Sequence, residues 1–205
     1  MPVFESRDEL LTYLTSTGLG MSMLFSFNSF ISAPDYVQHY YRYAANNEHA
    51  VPEFKSFWRN AESYISVSNM IPNLLFQLLV FTKVVRRIPM QRKLLVSMSL
   101  IIVAMLLMPV MPAFSINETG AAITMMFASA LAGAATAFFQ STCFALVAAF
   151  PARHMGGLLF GIGLSGTVTC LIQIITKAAM SGGYEDTQNQ SRVFFGVAVG
   201  WMFIS

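Results

Sequence analysis

Apolar residues run through this chain in long unbroken blocks, and the few polar positions inside them recur on one side. Five blocks reach or approach the ~20 residues that a helix needs to cross a bilayer: 10–33, 61–84, 94–114, 121–150 and 155–180. A sixth starts near Val193 and has run for about thirteen residues at Ser205, short of a full span. The block 94–114 is the most uniformly apolar and is expected to be the most exposed to lipid. The block 10–33 is softened by Ser, Thr and Asn28, and 61–84 by Asn69, Pro72, Asn73 and Gln77. The pattern predicts one all-α, polytopic membrane bundle over 1–205, with a long loop at 34–60.

The polar positions fall at helical spacing. Ser66, Asn69, Asn73 and Gln77 make a stripe on the second helix, and Ser165, Thr169, Gln173 and Lys177 a ladder on the fifth. Gly133, Thr136 and Gln140 share a face of the fourth, and Met21, Phe25, Asn28 and Ser32 one of the first. A lone Ser or Thr in such a place usually bonds one helix to another, at ~0.6 kcal/mol per contact. Amides on several helices point further, to a neutral, hydrogen-bonding cavity. Gln140 stands alone in an apolar run, and the helix after it opens with Gly156, Gly157, Gly161, Gly163 and Gly166. Gly133, Gly157, Gly161, Gly163 and Gly166 are therefore expected to pack helices closely, Gly157 and Gly161 as a GxxxG pair.

Composition supports the membrane class. Hydrophobic residues make up 55% of the chain, charged residues 11%, and the mean hydropathy is +0.58; a soluble domain is roughly 25% charged. Cys143 and Cys170 lie within apolar blocks, without disulfide or metal-site spacing. The acidic N-terminus lacks the basic region of a cleaved signal. Lys83, Arg86, Arg87, Arg92 and Lys93 have no acid among them, so their loop is expected in the cytoplasm. Alternation then places the N-terminus and the Arg153 turn inside, and 34–60, 115–120 and 181–192 outside. The sequons at Asn117 and Asn189 fall on those outer loops.

The chemistry is that of a neutral solute. Asn and Gln both donate and accept, so one side chain can hold two atoms of a base edge, and Phe25 or Phe27 can stack on it. An ion path would call for carboxylates or a ring of charge, whereas Glu62, at an edge, is the only acid within the five blocks. Lys177 lies near the outer end of its helix, where a lysine snorkels to the interface. With no phosphate-cradling loop, metal cluster or nucleic-acid patch, no cofactor, metal or nucleic-acid partner is expected.

Short motifs give this chain a family resemblance. Ser26-Phe27-Asn28, with Phe30 and Ala33, is similar to the Pro-Trp-Asn motif in the first helix of the equilibrative nucleoside transporters. Met70-Ile71-Pro72-Asn73-Leu74-Leu75-Phe76 resembles their Met-x-Pro and Leu-Leu-Phe, and Arg87-Ile88-Pro89 their cytoplasmic Arg-Ile-Pro. Gly133, Gln140, Phe144, Leu146 and Pro151 follow the fourth-helix pattern, and Gly161-Ile162-Gly163-Leu164-Ser165-Gly166 the fifth. The matches are colinear over about residues 10–180.

The resemblance implies eleven helices in a six-plus-five, major-facilitator-like arrangement. This chain would be the first six-helix half, cut within the sixth helix, and part of a longer multi-pass protein of the plasma membrane. Such a protein moves nucleosides or nucleobases by alternating access between two bundles, with protons as a candidate coupling ion. The missing C-terminal bundle, or a second copy, would complete the path. Gln140 would bond the base; Phe27, Asn28, Ile31 and Thr136 would line the site, and Met70 and Asn73 would form the facing wall. Phe27 in place of Trp weakens stacking, and Asn73 makes the wall more polar than the family's. The protozoan members are the ones expected to tolerate such changes.

Two other classes compete. A truncated, non-transporting membrane protein or assembly partner has the same composition. Gly163-Leu164-Ser165-Gly166 also fits the Gly-x-Ser-Gly of a rhomboid-type intramembrane protease, but that chemistry needs a base beside Ser165, and His39, His49 and His154 all lie in expected loops. No catalytic residue is assigned.

Overall fold

The structure, a computed structural model, describes residues 6–180 and 183–204. The first five residues of the acidic N-terminus, positions 181 and 182 of the last expected loop, and Ser205 lie outside the described residues, as does the side chain of Arg86 in the basic segment.

Among the described residues six long helices carry the fold: α1 (Arg7–Ile31), α2 (Ala61–Val80), α3 (Met90–Val110), α4 (Glu118–Val147), α5 (Ala152–Ala179) and α6 (Tyr184–Ile204). Four are long and apolar enough to cross a membrane: α1, α3 with its terminal 3-10 turn, α4 and α5. The amides diluting α2 and the polar first turns of α6 keep those two below that measure. Helices α1 and α4 start earlier than their apolar blocks because a polar residue caps each. Ser6 Oγ accepts from the Glu9 amide at 3.2 Å, with Asp8 and Glu9 in the positive first turn of α1. Asn117 Oδ1 accepts from the Gly120 amide at 2.9 Å at the head of α4. Glu185 and Asp186 sit likewise in the first turn of α6. The sixth helix thus begins at Tyr184 rather than near Val193, and Asn189 lies on a helix rather than a loop.

Helix α4 is the hub. It packs along α2 and α3 and more lightly on α1, while α5 packs almost wholly on α1, and α6 rests on α3 and α1. The consecutive helices α4 and α5 hardly touch. Because α5 leans mainly on one neighbour, it buries a smaller share of its residues than α3 does. This corrects the expectation that the 94–114 block would be the most exposed.

Glycines set the two closest crossings. A Cβ on Gly133 would strike the Asn69 main chain, and one on Gly161 the Thr17 carbonyl. Gly157 faces the Tyr13 ring, and Gly20 of α1 faces the Leu158 carbonyl in return. Gly163 and Gly166 do not take part: an added Cβ would meet nothing within 4 Å at either. At ~100° per residue, steps of two and five from Gly161 carry them off the face that meets α1.

The segment 34–60 is not an open loop. It folds into short helices at Pro34–Gln38, Tyr40–Ala44 and Lys55–Arg59 that bury Tyr36, Tyr40, Tyr43 and Trp58. Pro112 has no N–H to give the Met108 carbonyl one turn earlier. The hydroxyls of Tyr36 and Tyr40 donate to it instead, at 3.0 and 3.2 Å. Burial pushes both phenols above their ordinary pKa, so they remain donors. Either Tyr36→Phe or Tyr40→Phe leaves this carbonyl one donor and is expected to cost little. The double variant strands it, at ~1–3 kcal/mol beyond the two singles together. Thermal unfolding in detergent measures the excess; strictly additive losses would show that the carbonyl does not depend on the pair.

Candidate functional site

The polar stripe of α2 meets α4 along its length. Ser129 Oγ donates to the Ile65 carbonyl at 2.8 Å, and Ser68 Oγ to the Met126 carbonyl at 2.9 Å. Asn69 Nδ2 donates to the Ser129 carbonyl and Asn73 Nδ2 to the Gly133 carbonyl, both at 3.1 Å. A side-chain amide can reach helical carbonyls here because Gly133 lets the backbones close up. Next, Gln77 Nε2 donates to Asn73 Oδ1 at 2.9 Å and to Gln140 Oε1 at 3.3 Å. Much of this stripe is therefore helix-to-helix bonding.

Beside it lies a cleft of about 180 Å³, lined by Leu24, Phe27, Asn69, Met70, Asn73, Thr136 and Gln140. It falls between α1, α2 and α4 and brings Leu24 and Phe27 of α1 to Asn69, Met70 and Asn73 of α2 and Thr136 and Gln140 of α4. Thr136 Oγ1 is buried and has no hydrogen-bond partner among the described residues. Its neighbours Ser141 and Thr142 instead turn back onto the carbonyls of Ala137 and Phe138, as helical hydroxyls commonly do. The Thr136 hydroxyl is thus left over at the wall of a cleft, where a ligand would satisfy it.

Five of the seven expected site residues meet here: Phe27, Met70, Asn73, Thr136 and Gln140. Asn28 and Ile31 do not. Asn28, ~100° round the helix from Phe27, turns to α5, where its Nδ2 donates to Ser165 Oγ at 3.2 Å. Ile31 is exposed and outside the lining. Asn69 and Leu24 are lining residues that sequence reasoning did not assign. Asn69 was visible as a member of the stripe; Leu24, three residues before Phe27, was signalled only by spacing.

The ladder on α5 also faces elsewhere. Ser165 donates to the Ile162 carbonyl at 2.8 Å while accepting from Asn28, and Thr169 bonds the Ser165 carbonyl. These residues, with Met21 and Phe25 buried, belong to the α1–α5 contact. Lys177 makes an ion pair with Asp35 at 3.0 Å, both half or more exposed. At the opposite end Arg153 pairs with Glu9 at 2.7 Å, bringing the starts of α5 and α1 together. A wider cleft of about 620 Å³ opens around Asp35, Arg42, Lys177 and Tyr184. Its wall mixes both signs of charge.

A helical chain with four helices long and apolar enough to cross a membrane among its described residues, and with an amide-lined cleft between α1, α2 and α4, is a polytopic membrane protein. A family profile described as nucleoside transporter matches residues 125–205. Nucleoside transporter 1.2 of Leishmania donovani is 34% identical over 195 residues, 95% of this chain and 40% of the relative. Nucleoside transporter 1 of Crithidia fasciculata is 35% identical over 192 residues, 94% of this chain and 39% of the relative. Equilibrative nucleoside transporter 3 of Rattus norvegicus is 26% identical over 186 residues, 89% of this chain and 38% of the relative. The chain belongs to the nucleoside transporter family. It spans about 40% of the length of these curated relatives.

Proposed function

We propose that this chain supplies one wall of the solute site in a transporter of nucleosides or nucleobases that works by alternating access. The observation that carries the reading is the cleft between α1, α2 and α4, where Phe27 of α1 stands across from Met70 and Asn73 of α2 and Thr136 and Gln140 of α4. Such a wall stacks on one face of a base and bonds its edge. At about 180 Å³ the cleft is smaller than the ~300–1,000 Å³ usual for a site that encloses its ligand. A second helical bundle, or a second copy of this one, would close it. The relatives include nucleoside transporters and an adenosine transporter, which supports the same solute class. The basic segment Lys83–Lys93 faces the cytoplasm in this reading, with the N-terminus on the same side, and the membrane is the plasma membrane. A proton gradient is the candidate driving ion.

The test is uptake of labelled adenosine and hypoxanthine into cells without purine transporters of their own. The cells would express the chain as given, or the full natural reading frame that contains it, each with and without Gln140→Ala. Uptake is expected from the full frame, with apparent affinity for hypoxanthine falling roughly tenfold to a hundredfold in the variant, as for a lost hydrogen bond of ~1–3 kcal/mol. Uptake by neither form, with both present at the membrane, would leave a non-transporting membrane protein as the better account.

A further inference from the structure

The amides beside the cleft are oriented by a group that can act in only one way. The Gly133 main-chain carbonyl accepts and never donates. Asn73 therefore turns Nδ2 to it, at 3.1 Å, which leaves Asn73 Oδ1 on the other side. That oxygen needs a donor, and Gln77 Nε2 supplies one at 2.9 Å. The second N–H of the same Gln77 amide reaches Gln140 at 3.3 Å, and for that Gln140 must present Oε1. From Gly133 to Gln140 each orientation follows from the one before.

The last amide is thereby left with its donors free. Gln77 is outside the cleft lining and Gln140 within it, so the Gln140 oxygen is tied to a residue away from the cleft. Nε2 of Gln140 makes no hydrogen bond among the described residues, and the Thr136 hydroxyl one turn away has no partner either. A Gln whose amide were free to turn could present either end to a base. Here Gln77 settles which.

We propose that Gln77 is a positioning residue that holds the donor end of Gln140 towards the cleft. Through it the site selects bases whose edge leads with a carbonyl oxygen, 6-oxopurines and uracil, over those that lead with an exocyclic amino group, adenine and cytosine. A carbonyl at that position accepts from Gln140, whereas an amino group sets donor against donor. The inference rests on the cleft being the solute site.

The test is a pair of competition ratios measured on the full natural protein in the same cells. Labelled inosine is displaced by inosine or adenosine, and labelled uridine by uridine or cytidine, with surface labelling to normalise for protein at the membrane. Wild type is expected to favour inosine and uridine by about tenfold each, the scale of one hydrogen bond. Gln77→Met keeps the length and apolar bulk of the side chain but removes the donor. It should bring both ratios to within about threefold of unity while leaving the maximal rate for inosine within a similar factor, a split that mere loosening of the bundle would not produce. Asn73→Leu, which cuts the relay one step earlier, should lower the same ratios and serves if Gln77→Met does not reach the membrane. A wild type that favours adenosine and cytidine, or a Gln77→Met protein with its ratios intact, would overturn the inference while leaving transport standing. No uptake of any of the four by wild type would overturn the transport reading itself.

Discussion

Gly133→Val will unseat α2 from α4 and remove the protein from the membrane. The new Cβ would point into the main chain of Asn69, which no rotamer change can move aside. The helices must part, and parting breaks the bonds that need their closeness: Asn69 to the Ser129 carbonyl, Asn73 to the Gly133 carbonyl, and Ser129 to the Ile65 carbonyl. An overpacked crossing combined with several stranded polar groups falls in the class of single changes costing more than ~4 kcal/mol. Gly163→Val is the matched control. It adds the same side chain to a spanning helix where nothing stands within 4 Å, and should change stability by no more than ~0.5 kcal/mol. Detergent melting curves and surface abundance for the two variants decide the matter; equal behaviour would mean that the close crossing is not what holds the bundle.

Glu118→Ala should free the 45–60 segment. This one carboxylate, at the head of α4, accepts from the amides of Glu53 at 2.7 Å and Phe54 at 3.0 Å, and from the Trp58 indole at 2.7 Å. None of these three donors has another acceptor among the described residues, and Trp58 is buried. Each charge-assisted bond contributes ~1.5–3 kcal/mol when well shielded, and partial exposure lowers the sum to a loss of ~3 kcal/mol. Glu118→Gln retains one accepting oxygen, which carries Phe54 and Trp58, and should lose less than half as much. Trypsin reports the release directly, by faster cleavage after Lys55 and Arg59 in the alanine variant than in the glutamine one. Unchanged cleavage in both would show that the aromatic packing around Trp58 holds the segment unaided.

How far the fold could be read in advance follows from the solvent. In lipid a helix must satisfy its own backbone, so a long apolar block is nearly a helix by definition, and the long helices were visible in outline. The ends were less so, because caps such as Ser6 and Asn117 are polar and lie outside the blocks. The charges of the segment 34–60 read as a loop, whereas its aromatics carry a helical signal. Tyr36, Tyr40 and Tyr43 stand at steps of four and three, a helical signal in plain view.

The polar stripes were harder. Spacing says that Asn69, Asn73 and Gln77 share a face, but not whether that face meets another helix, a ligand or both. Asn28 lies on α1 next to Phe27 in sequence, yet it bonds α5 while Phe27 lines the cleft. The glycines repeat the lesson, since Gly161 matters only because Thr17 is opposite, and Gly20 escaped notice although it meets Leu158 just as closely. Contact between helices is a property of pairs, and one sequence displays only the members.

The uneven packing around α4 also has a mechanical meaning. Stiffness is concentrated in two laminae, α1 with α5 and α2 with α3 and α4, each clamped by glycine crossings or by a long apolar contact. Between them the join is lighter, carried by the contact of α1 with α4, by less with α2, and by α6, which rests on α3 of one lamina and α1 of the other. Leu24 and Phe27 stand on one lamina and the amides on the other. A small change of tilt along that soft line would open or shut the gap between aromatic and amide walls without breaking any bond of the Gly133–Gln140 relay.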